Sequence, residues 1–130
     1  MDKQEVKRIE RGWAGHFICA SVCEFRRNTL LEYGDKKWVV STVGRMVTTN
    51  PETRKQEFTT IGLNRYYETM AFVGTQDELG YIDADVSQMI EFDSNWAIGD
   101  IEPDSEQRAN DMHEAVVKEL SLKIKEQDNG

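Results

Sequence analysis

The stretch Thr29-Leu30-Leu31-Glu32-Tyr33-Gly34-Asp35-Lys36-Lys37-Trp38-Val39-Val40-Ser41-Thr42-Val43-Gly44 decides the fold. Two runs rich in β-branched and aromatic residues flank Gly34-Asp35-Lys36-Lys37, so it reads as an antiparallel hairpin. Upstream, Cys23 and Phe25 alternate with Glu24 and Arg26, the pattern of a half-buried strand. Downstream, Met46-Val47-Thr48 and Phe58-Thr59-Thr60-Ile61 flank an Asn50-Pro51 start and a charged middle, which predicts a second hairpin.

The next strand is Asn64-Arg65-Tyr66-Tyr67-Glu68-Thr69-Met70-Ala71-Phe72. Alternation puts Arg65, Tyr67, Thr69 and Ala71 on one face and Tyr66, Glu68, Met70 and Phe72 on the other. The second face ends apolar and is expected in the core, leaving Arg65 and Tyr67 to meet a ligand and Glu68 in need of a buried cationic partner. A polar loop from Gly74 to Gly80 leads to short strands at Tyr81–Val86, Met89–Phe92 and Trp96–Ile98.

Past Gly99 the period changes. Asp104 with Gln107 three residues on resembles a capping box, and Ala109, Met112, Val116, Leu120 and Ile124 recur at helical spacing. The expectation is a single domain over residues 1–130, with a short or frayed helix at 1–10 and an amphipathic helix at 104–126. Its fold class is α+β: a mostly antiparallel twisted sheet built from hairpins, covered by the C-terminal helix.

With 38% apolar and 31% charged residues, the chain has the composition of a globular protein and no run long enough to span a bilayer. The charged start, Met1 to Arg8, lacks the apolar core of a secretory signal, so a cytoplasmic location is expected. The net charge of −8 is unevenly divided. Residues 1–65 carry twelve Lys and Arg against eight acids, whereas residues 66–107 carry eleven acids and no Lys or Arg. An acidic surface that meets a basic partner is one reading, centred on Asp77, Glu78, Asp83 and Asp85; solvated turns are the plainer one. Overall acidity argues against binding a long nucleic acid.

Cys19 and Cys23 would lie about 13 Å apart on a regular strand, too far for a disulfide without a bend. His16, Cys19 and Cys23 supply three soft donors, and a zinc site would need a fourth, such as His113. No metal or other cofactor is expected, and a thiol nucleophile paired with His16 is the enzymatic alternative. Asp83 and Asp85 share a strand face, but the spacing that follows lacks the Gly and Glu of a calcium loop. Arg26, Arg27 and Arg65, with Arg45 nearby, supply forked donors for phosphate; Trp13, His16 and Tyr67 would complete a pocket for a small phosphorylated ligand. The plainer reading pairs the charges across strands and buries the aromatics.

The blocks Arg11-Gly12-Trp13-Ala14-Gly15-His16-Phe17-Ile18, Arg26 to Leu31, Val40 to Gly44, Asn64 to Phe72 and Ala109 to Val116 resemble segments of small bacterial and phage-associated proteins of unknown function. The resemblance implies a mobile-element context and a small effector or counter-defence inhibitor, and it implies no catalytic residues. The leading expectation is therefore a non-catalytic binding protein whose partner is another protein or a small phosphorylated ligand. A structural subunit that forms homo-oligomers is the remaining alternative, and no membrane partner is expected.

Overall fold

The computed structural model describes residues 5–11, 23–59 and 65–129. The expectations for Trp13, His16 and Cys19 lie outside these residues, as does the side chain of Cys23. Strands β1 (Lys7–Glu10), β2 (Cys23–Tyr33), β3 (Lys36–Thr49), β4 (Gln56–Thr59), β5 (Tyr67–Gln76), β6 (Ile82–Met89) and β7 (Ala97–Ile98) form one antiparallel sheet, and α1 (Ser105–Asn129) closes the chain. The sheet order is β1-β2-β3-β5-β6, with β4 beside β3 and β7 beside β5.

The hairpin that decides the fold is present with Tyr33 opposite Lys36 and Gly34 at φ +63°. Its second strand is longer than its apolar run suggests, because β3 carries two neighbours in succession on one edge. Residues 38–44 pair with β5 and residues 46–49 with β4. The change of partner falls at Arg45, which adopts φ +55°, a conformation an L side chain rarely takes and one that kinks the strand. Next to it, Gly44 is required by close approach: a Cβ there would lie 2.0 Å from Cδ1 of the Tyr67 ring.

Residues 7–10, expected in a short helix, form an edge strand instead, with Ile9 opposite Leu30. Val6 and Ile9 fit a helical face, but pairing with β2 satisfies four residues of backbone that an isolated helical turn would leave to water.

The helix runs over one sheet face. Leu31, Val40 and Ala71 from three strands meet Val116, Val117, Leu120 and Ile124, and each large side chain so buried contributes about 1.5–3 kcal/mol. Leu30, Val39, Val43 and Phe72 on the opposite face are buried too, which explains the nearly unbroken apolar run of β3. The helix begins one residue later and ends three later than expected. Its entry is tied by Ser105, whose Oγ accepts from the Glu102 amide at 2.6 Å. Gln107 turns forward to donate to Asp111 at 3.0 Å, so the capping box does not close.

Candidate functional site

The arginines read as one phosphate pocket are divided between the two faces of the sheet. Arg27 lies under the helix, donating to Asn110 at 2.7 Å and pairing with Glu10 at 2.9 Å and Glu114 at 3.2 Å. Arg26 is opposite Val43 and points to the other face. Arg65 pairs with Glu68 at 3.1 Å, supplying the cation that this nearly buried carboxylate needs, and its guanidinium stacks over Trp96 at 4.6 Å from the ring centre. Tyr67, expected to face a ligand, is fully buried: its strand face is the one the helix covers, and its ring meets Phe25 edge-on at 5.9 Å.

Beneath the helix runs a chain of hydrogen bonds that passes through His113, itself fully buried. Thr29 donates its hydroxyl proton to Glu10 at 2.8 Å, so it must accept from His113 Nε2 at 2.7 Å. Nδ1 of the neutral ring then accepts from Thr42 at 2.7 Å, and Thr42 accepts from Thr69 at 2.6 Å. Each donor is used once and all point one way, ending at Glu10. Burial, reinforced by the Arg27 charge, lowers the His113 pKa from 6.5 to about 4, which keeps it neutral near pH 7. Glu10, His113 and Glu114 bring donor atoms within 4.8 Å of one another, close enough to share a metal ion. Arg8 and Arg27 already hold both carboxylates, however, and His113 Nε2 carries a proton, so this donor set is satisfied without a cation. A ring with no exposed surface and both nitrogens engaged is not placed to act as a general base on a substrate.

The expected acidic residues share one hairpin. Asp77 opens the β5–β6 turn by accepting from the Leu79 and Tyr81 amides, both at 2.9 Å. Asp83 and Asp85 stand on β6, where three residues, Val86 to Gln88, bulge out between the pairs Val73 with Asp85 and Phe72 with Met89. Asp85 folds that bulge by accepting from Ser87 Oγ and Gln88, both at 2.6 Å. Arg11 donates to the Ile82 carbonyl and thereby joins the end of β1 to β6.

Where β6 leaves the edge of β5 and before β7 joins it, the segment Ile90–Trp96 crosses the gap. The Ile90 amide donates to Ala71 at 2.8 Å and the Thr69 amide to the Trp96 carbonyl at 2.8 Å. Glu119 of the helix accepts from the amides of Asp93 and Ser94 and from Ser94 Oγ at 2.6–2.7 Å. Burial pushes this carboxyl up, but the Ser94 and Asp93 donors and Lys123 outweigh it and hold the pKa at about 2. Behind this segment is a cavity of about 300 Å³ walled by Met70, Met89, Ile90, Phe92 and Trp96, with the exposed Glu91 and Asp93 beside it.

The sequence reading missed both His113 as a hub and this cavity. His113 follows Met112 on the apolar stripe of the helix, and a histidine at such a position was the available signal. The cavity has no sequence signature, because it is made by the absence of a strand between β6 and β7. No protein family, no curated protein and no solved structure matches the chain.

Proposed function

We propose that the chain is a non-catalytic binding protein that takes a basic segment of a partner protein along β6, from the turn at Asp77 to the segment ending at Trp96. The observation that carries this reading is the coincidence of exposed apolar side chains with a cluster of acids. Among the described residues six large apolar side chains are strongly exposed, and five of them, Leu79, Tyr81, Val86, Met89 and Trp96, lie here. Asp77, Glu78, Asp83, Asp85, Glu91 and Asp93 accompany them; among the described residues none of the six is within ion-pair distance of a cation, although Arg11 acts on Asp83 and Lys123 on Asp93 from farther off. Apolar area supplies affinity and the single sign of charge supplies orientation and selection. An inhibitor of the kind the resemblance implies would act in this way, by occupying a basic site on its target.

A pocket for a phosphorylated ligand is less well supported, since Arg27 is paired and Tyr67 buried beneath the helix while Arg65 is paired with Glu68 of the opposite face. The test is binding of a Lys/Arg-rich peptide to the intact chain and to Asp77→Lys/Glu78→Lys/Asp83→Lys. The reversal should weaken binding by about tenfold or more and remove most of its salt dependence. Equal binding by both proteins would reject the acidic surface.

A further inference from the structure

We propose that the cavity between β6 and β7 is the anchor site of this surface, receiving one large apolar side chain of the partner segment while a neighbouring Lys or Arg meets Glu91 and Asp93. The inference rests on the acidic-surface reading and adds to it the position and chemistry of the contact that determines how long the partner stays.

Three observations converge on it. First, about 300 Å³ bounded by two methionines, an isoleucine, a phenylalanine and a tryptophan accommodates an aliphatic or aromatic side chain, and the methionines can adjust to either. Met89 is 53% and Trp96 42% exposed, so the walls present apolar area to a partner rather than sealing it inside. Second, the segment that forms the outer wall is fixed before any partner arrives. Ala71, Thr69 and Glu119 hold it at successive points, and Arg65 holds the Trp96 ring from one side. A wall already ordered loses little entropy on binding. Third, the charge selects the occupant. Glu91 and Asp93 border the cavity, while the cations beside it, Arg65 and Lys123, are paired with Glu68 and Glu119, so a segment with a cation next to its apolar residue is favoured. A second copy docking this same surface would set acids against acids.

From Thr69, beside the cavity, to Gln76, near the acidic turn, β5 spans about 23 Å, the reach of an extended segment of about seven residues. The probes are therefore synthetic peptides of about that length with Leu, Phe or Trp flanked by Lys and Arg, a version with the apolar residue replaced by Ala, and a version with Glu flanks. Each is titrated against the full chain and against Met89→Asp, whose exposed position leaves the fold intact, as an unchanged melting temperature would verify. Loss of about tenfold or more in affinity on removing the apolar residue, and again in Met89→Asp, supports the anchor site. Binding that ignores both changes but falls in Asp77→Lys/Glu78→Lys overturns the anchor and leaves the acidic surface standing. Equal binding of the Glu-flanked peptide overturns the choice of a basic partner, and failure of every peptide to bind rejects both readings. A wild-type dimer in sedimentation that Met89→Asp dissociates would assign the cavity to a second copy and overturn the proposal.

Discussion

His113 shows how a single residue can join three strands to the helix without offering itself to a substrate. Its ring sits where three threonines from β2, β3 and β5 converge, and the direction of the hydrogen bonds settles its tautomer. The folded-state pKa, about 4, lies below the ordinary 6.5, so on acidification the unfolded chain takes up its proton first. The stability carried by the neutral ring is complete above about pH 6.5 and declines from there to about pH 4, by about 3 kcal/mol. Glu10 responds lower down. Burial pushes it up, but donors from Arg8, Arg27 and Thr29 outweigh that and hold it at about 2, so its contribution is lost only as pH falls below the ordinary carboxylate value. Urea unfolding between pH 5 and 7, above the range in which Glu10 and Glu119 take up protons, should therefore show a steep loss of stability in the wild type and a nearly flat profile in His113→Gln. An equal slope in the two proteins would place its origin elsewhere.

At the scale of elements, the segment Ile90–Trp96 is packed through Ile90 and Phe92 on the core that α1 shares with the sheet, and the helix fixes its backbone through the Glu119 side chain. Glu119→Gln keeps the size of that side chain but exchanges a charged acceptor of three hydrogen bonds for a neutral amide, costing about 1–3 kcal/mol locally. Hydrogen exchange at Asp93 and Ser94 should speed up while the core amides of β3 stay protected; uniform acceleration throughout would mean that Glu119 supports the whole domain instead. The elements themselves differ in how plainly the sequence announces them. The β2–β3 hairpin and α1 follow from period and turn chemistry, since alternation and a 3.6-residue recurrence are local signals. Strand β1 is not local: Val6 and Ile9 satisfy a helical face as well as a strand, and only the free edge of β2 decides between them. Within β5 alternation separates Tyr67, Thr69 and Ala71 from Glu68, Met70 and Phe72 as expected, but Arg65, ahead of the strand, pairs with Glu68 of the other set, and Tyr67 goes to the helix because both faces are buried and alternation cannot rank two covered sides. The acids of the β5–β6 hairpin were legible as a charge block, whereas the cavity beside Trp96 was not, because it depends on where two strands stop.

For the molecule as a whole, the proposed surface separates two tasks by distance. The acids at the turn stand about 23 Å along β5 from the apolar cavity, well beyond the range over which substitutions share contacts. Exposed carboxylates act on a basic partner before contact, raising the encounter rate in a salt-dependent way, whereas a filled apolar cavity acts after contact and slows departure. Asp77→Lys/Glu78→Lys should therefore lower the association rate and flatten its dependence on ionic strength, with little change in dissociation. Met89→Asp should raise the dissociation rate by about tenfold or more and, because it adds a carboxylate, slightly steepen rather than flatten the salt dependence of association. Because the two sites share no partner residue, the combined variant should lose affinity by the product of the separate losses, within about a factor of two. Stopped-flow measurement with one anchored basic peptide reads all three quantities. A combined loss far smaller than the product would mean that the turn and the cavity contact the same part of the partner, and the surface would then be a single compact patch rather than an extended track.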